Sequence, residues 1–472
     1  MKRSKRLITL VAILAVVCVA TFALTKYEKK QEEIQNSDEV ILEIPADSVE
    51  SISWEVSEEG LAFHKTEEGW LYDDDEAFPV NEDEITDILS HFESFGVSFI
   101  IENVEDYSQY GLDNPEGTIN LATEDASYEL KLGDFSKMDE QRYVDIGDGN
   151  VYLVNEDPAD YMQTDLSSMI LHDETPDFEQ VVDIRFAGAE DYTIKYAEES
   201  KNSYSEDDTY FTEKDGETVP LDPETVTTYL DTMESLNLVN YATYNATDEE
   251  LASYGLDEPE LSVTVNYTYT DEDEKEVADS YILHIGQNQE ELKEAEEAEG
   301  NEEEDIPEVT KYVRIGDSQI VYELDDTSYE TLAAASYDDL RHDEVFWADS
   351  DTMTQIDITL EGEEHVLTSE IDEDDEETRV WYYGEEEIEL AGFRTALKTV
   401  VADSFTDEAA GEKEEISLTI HLDHENFPQV KIQFYRYDGT YCLAVVDGES
   451  VSLVERSSVV ELVEAVQAIV LN

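Results

Sequence analysis

A six-residue pattern, Tyr-Gly-Leu-Asp-x-Pro, occurs twice in the chain and constrains its architecture more than any other feature. Each copy is followed, in the same order, by a Leu-x-Leu-Gly or Leu-x-Ile-Gly block and by an Arg-Tyr-Val or Lys-Tyr-Val block that ends in Ile-Gly-Asp. Three ordered blocks of this kind indicate an internal duplication, so we expect two modules with one fold. The motif residues are Tyr110, Gly111, Leu112, Asp113 and Pro115 in the first copy, and Tyr254, Gly255, Leu256, Asp257 and Pro259 in the second.

The surroundings of the second copy are typical of a helix that stops. Thr247 and Glu250 have the spacing of a capping box at a helix start. Gly255 suits the left-handed position that ends a helix, and Leu256 can fold back onto the last turn. Pro259 prevents the helix from resuming. In the first copy the same positions are filled by Tyr107, Gly111, Leu112 and Pro115. We therefore predict a structural role for the motif; the alternative is that its aspartates bind a ligand.

The charge of the chain excludes one class of partner. Acidic residues outnumber basic residues by 121 to 27, which gives a net charge of −94. Such a surface repels nucleic acid, because binding to phosphates needs Lys or Arg. It attracts divalent cations diffusely, and we interpret the acidity as a solubility device. Hydrophobic residues make up 40% of the chain, so we expect most of it to fold.

The N-terminus has the pattern of a membrane segment. Four basic residues precede an uncharged run of 18 residues, Leu7 to Leu24. As a helix this run would be roughly 27 Å long, close to the thickness of a bilayer core. The positive charges predict a cytoplasmic stub at residues 1–6, a single-pass transmembrane anchor at residues 7–25 and an extracytoplasmic location in the cell membrane for the rest. Two alternatives remain, cleavage of a signal peptide near Ala23 and lipidation at Cys18.

The remaining patterns predict an α+β fold. We expect an N-terminal transmembrane helix followed by three tandem, mostly antiparallel α+β modules, of which the third is degenerate because it lacks the turn motif. Helices are predicted from Asn81 to Phe95 and from Pro158 to Met169. The predicted boundaries are a polar spacer at 26–46, module one at 47–172, module two at 178–342 with an acidic insertion at 287–310, and module three at 350–472.

Side chains that could carry chemistry are few. Ser318 lies in a Gly-Asp-Ser sequence similar to a serine-hydrolase fragment, but a hairpin turn explains that sequence better. His421 and His424 are the closest histidine pair, and a spacing of three places them on opposite faces of a strand. Cys442 lies in an apolar strand, typical of a small buried side chain. We therefore predict no catalytic residue, no metal ligand, no cofactor and no enzyme activity.

A family resemblance adds to this interpretation. A tryptophan before a helix, the Tyr-Gly-Leu-Asp-x-Pro turn, Leu-x-Leu-Gly, Arg-Tyr-Val and a Val-Tyr-Leu-Val strand follow one another from Trp70 to Val154, and a second set runs from Tyr210 to Leu324. This order resembles the bacterial domain of unknown function 4340. The resemblance implies an N-terminal membrane segment and subunits of an ABC-type transporter as partners. It implies no catalytic residues.

Together these observations predict a membrane-anchored, extracytoplasmic accessory or scaffold protein that works with an ABC-type transport complex. The first alternative is an extracytoplasmic binding module for a cell-wall polymer or for divalent cations. The second alternative is a hydrolase.

Overall fold

The computed structural model describes residues 39–56, 59–102, 104–162, 164–198, 201–299, 307–371 and 379–471, together with Val17 and Thr21. By its internal contacts the chain divides into two compact units, residues 1–172 and residues 173–472.

Unit one contains sheet one, an antiparallel sheet with nine strands in the described residues, arranged in the order β1-β5-β9-β8-β7-β6-β2-β3-β4. The strands are β1 (Glu39–Leu42), β2 (Val49–Val56), β3 (Glu59–Thr66), β4 (Gly69–Tyr72), β5 (Phe95–Ile101), β6 (Gly117–Thr123), β7 (Ser127–Ser136), β8 (Gln141–Asp145) and β9 (Val151–Val154). The described part of this unit also contains helices α1 (Glu82–Ser90) and α2 (Pro158–Met162) and the 3-10 helices Ala46–Ser48, Tyr107–Tyr110 and Leu166–Met169.

The described residues of unit two form two further nine-stranded antiparallel sheets. Sheet two consists of β10 (Gln180–Ala187), β11 (Tyr192–Tyr196), β12 (Tyr210–Lys214), β13 (Glu217–Pro220), β14 (Tyr241–Thr243), β15 (Leu261–Thr270), β16 (Glu276–Gln287), β17 (Lys311–Ile315) and β18 (Val321–Leu324). Sheet three consists of β19 (Met353–Leu360), β20 (Glu363–Ile371), β21 (Arg379–Tyr383), β22 (Glu386–Ile388), β23 (Ala402–Phe405), β24 (Glu414–Leu422), β25 (Gln429–Arg436), β26 (Tyr441–Val446) and β27 (Glu449–Glu455). The helices are α3 (Pro223–Glu234), α4 (Asp248–Ser253), α5 (Gln289–Glu299), α6 (Asp326–Ala333), α7 (Tyr337–Leu340), α8 (Ala391–Lys398) and α9 (Arg456–Val470).

The three sheets share one topology. Sheet two has the order β13-β12-β11-β10-β15-β16-β17-β18-β14, and sheet three repeats this order with every strand number raised by nine. In sheet one, β2 to β4 correspond to β10 to β12, and β5 to β9 correspond to β14 to β18. Among the described residues sheet one has no counterpart of β13, and β1 extends its opposite edge by pairing with β5.

Each sheet buries one face against its helices. In β2 every second side chain points inward, so Ile52, Trp54 and Val56 are buried. On α3 the buried stripe is Val226, Tyr229, Leu230 and Met233, which has the spacing of one helical face. Burying a side chain of this size stabilises the fold by about 1.5 to 3 kcal/mol.

The predicted fold class was wrong, because the described chain is mostly β rather than α+β. Short strands such as β14, β22 and β23 were not predicted, because a strand of three or four residues shows too little alternation to be recognised. The helices are also shorter than predicted. Helix α1 ends at Ser90, and Phe95 starts β5 instead of continuing the helix.

The predicted transmembrane helix is not supported. Within the described residues, no helix is both long enough and apolar enough to cross a membrane. Apart from Val17 and Thr21, the predicted anchor at residues 7–25 lies outside the described residues.

Candidate functional site

The second Tyr-Gly-Leu-Asp turn ends helix α4. The helix begins with a capping box, in which Thr247 and Glu250 each accept a hydrogen bond from the other's backbone amide. Gly255 has a φ of 69°, and the amide of Leu256 donates to the carbonyl of Leu251 at 2.8 Å. These are the hydrogen bonds of a helix stop with a left-handed C′ residue. The predicted geometry of this turn is confirmed.

The first turn has the same geometry on a shorter helix. Gly111 has a φ of 70°, and the amide of Leu112 donates to the carbonyl of Tyr107 at 3.1 Å. The preceding turn is a 3-10 helix, capped by the side chain of Asp106. The aspartates of both motifs, Asp113 and Asp257, are exposed. Ligand binding by these aspartates stays the untested alternative to the predicted structural role.

Both turns pack against a glycine of the neighbouring strand, which explains why two sequence blocks occur together. A Cβ on Gly133 would overlap the carbonyl oxygen of Tyr110, and a Cβ on Gly286 would lie 2.6 Å from the carbonyl oxygen of Gly255. Only glycine allows this close approach of two backbones. In sheet three the register places Tyr435 at the equivalent position, and this sheet has no Tyr-Gly-Leu-Asp sequence. The turn and its glycine are therefore lost together.

A glutamate occupies one equivalent position in all three sheets. In each sheet this glutamate comes directly before the residue that pairs with Leu132 in sheet one, with Ile285 in sheet two or with Phe434 in sheet three. In sheet one it is Glu116, which binds the buried Arg142. In sheet two it is Glu260, which accepts hydrogen bonds from Tyr329 and Gln287, and in sheet three it is Glu415, which binds Arg436 and Lys413. The same carboxylate is thus held by different donors, which is typical of a structural role.

A buried cluster joins sheets two and three, and we call Ser203, Asp208, His342, Glu344 and Trp347 the Asp208 cluster. Asp208 lies on the loop between β11 and β12, and its side chain is only 1% exposed. Its carboxylate accepts hydrogen bonds from the Ser203 hydroxyl, from His342 Nε2 at 2.9 Å and from Trp347 Nε1 at 3.0 Å. A buried carboxylate needs such donors because an unpaired charge is costly to bury.

The electrostatics of this cluster make His342 a cation. Burial alone would lower the pKa of His342, but the hydrogen bond to Asp208 and the carboxylate of Glu344, which lies 3.8 Å from Nδ1, raise that pKa to about 9. The interaction with His342, which outweighs burial, lowers the pKa of Glu344 to about 2. The imidazolium also stacks on Trp347, with 4.3 Å between ring centroids. The cluster is therefore a charge-compensated link between the two sheets.

The same loop inserts a tyrosine into the core of sheet three. Tyr204 belongs to the hydrophobic cluster of that sheet. Its ring centroid lies 5.7 Å from that of Phe346, 4.7 Å from that of Trp347 and 6.0 Å from that of Phe427. Sheets two and three thus share buried residues, which accounts for their belonging to one compact unit.

A cleft of about 510 Å³ opens between α3 and the ends of the strands of sheet two. We call it the tyrosine cleft. Its aromatic lining residues are Phe178, Tyr196, Tyr210 and Tyr269, and its acidic lining residues are Glu179, Asp231, Glu234 and Glu276. Within the described part of the chain no Lys, Arg or His lines this cleft.

The residues considered for chemistry do not meet at this cleft. Ser318 donates to Asp173 at 2.7 Å and sits in a turn between β17 and β18. His421 binds Asp357 at 2.8 Å, whereas the Nδ1 atom of His424 accepts two backbone amides. Among the residues that the structure describes, no group of three or more His, Cys, Asp or Glu side chains is arranged to hold a metal ion. Cys442 is buried, and burial raises its pKa to about 11.

One close polar pair escaped sequence reasoning. The Ser262 hydroxyl and Nδ1 of His284 lie 2.8 Å apart across β15 and β16. Burial, followed by the charge of Arg314, lowers the pKa of His284, so this histidine is neutral near pH 7. The pair depends on strand register, and no local sequence signal could have shown it.

Comparison with models of protein families shows which family the chain is related to. The family model of a domain of unknown function, DUF4340, matches residues 70–259 and again residues 212–418. The chain belongs to the DUF4340 family. Comparison with curated proteins and with solved structures gives no match.

The two DUF4340 matches have the same register on the fold. The first begins in β4 and ends just before β15; the second begins in β12 and ends in β24. Since β4 and β12 are equivalent strands, as are β15 and β24, the family unit spans the second part of one sheet and the first part of the next. This confirms the internal repeat and extends the DUF4340 resemblance into sheet three, beyond the two modules on which it was recognised.

Proposed function

We propose that this chain is a non-enzymatic accessory or scaffold subunit that works outside the cytoplasm with an ABC-type transport complex. The single observation that carries this proposal is the insertion of Tyr204 into the core of sheet three. A buried aromatic anchor between two sheets produces one stiff body, because packed interiors do not deform continuously. A stiff body of repeated sheets can present a wide binding surface, as stacked repeats do in other proteins.

The Asp208 cluster supports the same interpretation. Its hydrogen bonds tie Asp208, on the loop between β11 and β12 of sheet two, to His342 and Trp347 in the segment that leads into sheet three. Both ring nitrogens of His342 face carboxylates, at 2.9 Å from Asp208 and 3.8 Å from Glu344. This arrangement supports a stiff body, and it occupies both ring nitrogens of His342.

Photo-crosslinking in cells tests the proposal. A benzophenone amino acid replaces one exposed apolar residue in the full chain: Met138 in the turn between β7 and β8 of sheet one, which is 89% exposed, Val182 in sheet two, 49%, or Val366 in sheet three, 43%. We expect light-dependent adducts with transporter subunits, identified by mass spectrometry. The same label at Glu124, an exposed residue in the turn between β6 and β7, serves as the control for random collisions.

A second variant links the result to the observation on which the proposal rests. With Tyr204→Ala added, the adducts from positions 182 and 366 should weaken, whereas the adduct from position 138, in the other unit, should persist. If every labelled chain migrates alone on native gels and none forms an adduct, the scaffold proposal is wrong. Turnover of an ester, peptide or glycoside by the purified chain would instead favour the hydrolase alternative.

A further inference from the structure

We propose that the tyrosine cleft binds the cationic end of a lysine or arginine side chain from an extended segment of a partner protein. The inference rests on the proposed function only for the identity of that partner. The cleft itself combines two kinds of groups that recognise an organic cation, aromatic rings and carboxylates.

The aromatic part of the cleft is a preformed pair. Tyr196 and Tyr210 are opposite each other on β11 and β12, and their rings are edge to face with centroids 5.6 Å apart. Tyr210 is 9% exposed, whereas Tyr196 is 38% exposed. The buried ring of Tyr210 therefore positions the ring of Tyr196, and the exposed surface of Tyr196 is accessible to a ligand. A cation within about 6 Å of such a ring centroid is attracted by the quadrupole of the ring.

The carboxylates of the cleft fall into two groups. Glu234 accepts the backbone amide of Phe178 at 2.8 Å, and Glu179 accepts the amide of Thr270 at 3.1 Å, so both are used to hold the strand ends. Asp231 and Glu276 are exposed lining residues. Asp231 lies one helical turn before Glu234 and faces the same side of α3.

The field of Asp231 reaches the tyrosine pair. Burial raises the pKa of Tyr210, the neighbouring Tyr196 raises it further, and Asp231 adds to the shift, while a hydrogen bond with Thr227 opposes it. A carboxylate that disfavours a phenolate beside it favours a cation at the same place. The carboxylate of Asp231 therefore favours a cation at the same place as the rings of Tyr196 and Tyr210 do.

The charge of the tyrosine cleft indicates which kind of ligand binds there. Four carboxylates and no basic side chain line the cleft in the described residues, and the chain as a whole carries a net charge of −94. A second copy of the chain would bring the same negative charge and be repelled. A basic side chain on a flexible segment satisfies both the rings and the acids, and either Arg or Lys can supply the cation.

Binding of single-cation peptides to the full chain tests the proposal. The probe is a fluorescein-labelled Ac-Gly-Gly-Lys-Gly-Gly peptide, with an Arg version and a norleucine version, measured by anisotropy in 150 mM NaCl to screen diffuse attraction (a Debye length of about 8 Å). We expect saturable binding of the Lys and Arg peptides and none of the norleucine peptide. Tyr196→Ala should weaken binding at least about fivefold, and Asp231→Asn should weaken it about threefold, whereas Tyr196→Phe should retain it.

Matched variants separate a site from diffuse charge. Tyr437→Ala removes a tyrosine that is 45% exposed and directly follows β25 of sheet three, and Glu249→Gln removes an exposed carboxylate on α4. Both should bind the peptides like the unchanged chain. If these controls lose as much affinity as Tyr196→Ala and Asp231→Asn, or if no variant differs, the cleft is not the site. Tighter binding of an amino-sugar oligomer than of either peptide would replace the peptide proposal with a polymer.

The outcome is distinguishable from that of the scaffold proposal. Peptide binding that depends on Tyr196 while all crosslinks fail would support the cleft and contradict the transport partner. Crosslinks to a transporter without cleft-dependent peptide binding would support the partner and contradict the cleft.

Discussion

The carbonyl oxygen of Tyr110 lies against Cα of Gly133, so close that a Cβ at residue 133 would overlap it. We predict that Gly133→Ala destabilises unit one by about 1 to 3 kcal/mol, because the added methyl group must push two backbones apart. Gly286→Ala should have a similar effect in unit two, where the methyl group would meet the carbonyl oxygens of Tyr254 and Gly255. Urea unfolding followed by tyrosine and tryptophan fluorescence measures the change.

Gly439 is the matched control for these two variants. It has an ordinary φ, and a Cβ there would have no neighbour within 4 Å. Gly439→Ala should therefore change stability by less than about 0.5 kcal/mol. Equal effects at positions 133 and 439 would show that the turn does not need a glycine beneath it.

The turn glycines themselves lead to a separate prediction. Gly111 and Gly255 have φ values of 70° and 69°, where a side chain costs on the order of 1 kcal/mol. Alanine at either position should lower the free energy of unfolding by at least that amount. Asparagine tolerates this conformation better than alanine, so Gly255→Asn should cost less than Gly255→Ala in the same urea experiment. Alanine and asparagine variants of equal stability would mean that the steric contacts, and not φ, set the cost.

Local features of this fold could be predicted from sequence. The capping box at Thr247 and the stop at Gly255 depend on residues within about two helical turns, so their chemistry is visible in the chain. The strand topology of sheet three was less accessible. Its turn and its glycine are both replaced, with Tyr435 at the glycine position, so the sequence predicted only a degenerate third module, whereas the strand order of sheet three is the same as that of sheet two.

The candidate site could not be predicted, because its residues are far apart in sequence. Asp208 and His342 are separated by 134 residues, and neither lies in a recognisable motif. The Tyr196 and Tyr210 pair depends on the register of β11 and β12. Tyrosines are common in this chain, with 28 in all, so the two that line a cleft do not stand out before the fold is known.

Tyr204 should contribute strongly to the stability of unit two. Its ring is buried among Phe346, Trp347 and Phe427, so Tyr204→Ala should cost about 3 to 5 kcal/mol. Tyr204→Phe keeps the ring and should cost less than about 1.5 kcal/mol. Calorimetry should show the transition of unit two splitting when sheets two and three lose their shared residue. A single transition in Tyr204→Ala, shifted by less than 1 °C, would contradict the role of this side chain as an anchor.

The Asp208 cluster predicts an alkaline limit to the stability of unit two. The pKa of His342 is raised to about 9 in the folded chain, against its ordinary value of 6.5, because the hydrogen bond to Asp208 and the nearby carboxylate of Glu344 outweigh burial. A raised histidine pKa stabilises the fold fully below about pH 6.5, and this contribution is lost as the pH rises to about 9. The expected total is roughly 3 kcal/mol.

His342→Gln tests this limit. Glutamine can still donate to Asp208 but does not titrate, so the fall in stability between pH 6.5 and 9 should become shallower. The acidic groups that raise the pKa of the imidazole are Asp208, Glu344 and Asp222; Asp343 interacts with Glu344, and Arg341 lines the same cavity as His342. Stability is measured by urea unfolding at half-unit steps of pH. Identical profiles for the two chains would show that His342 is not the titrating group.

The last prediction concerns the charge of the whole chain. With a net charge of −94, the compact units repel themselves, whereas the unfolded chain spreads the same charge over a larger volume. Added salt should therefore raise the melting temperature by screening. If the acidity is only a solubility device, NaCl should do nearly as well as CaCl₂ at matched ionic strength, and this is the result that we expect. A specific calcium site would instead stabilise the chain at low Ca²⁺ concentrations, with the concentration dependence of ligand binding. A saturable effect of sub-millimolar Ca²⁺ that NaCl does not reproduce would contradict our interpretation and favour a cation-binding module.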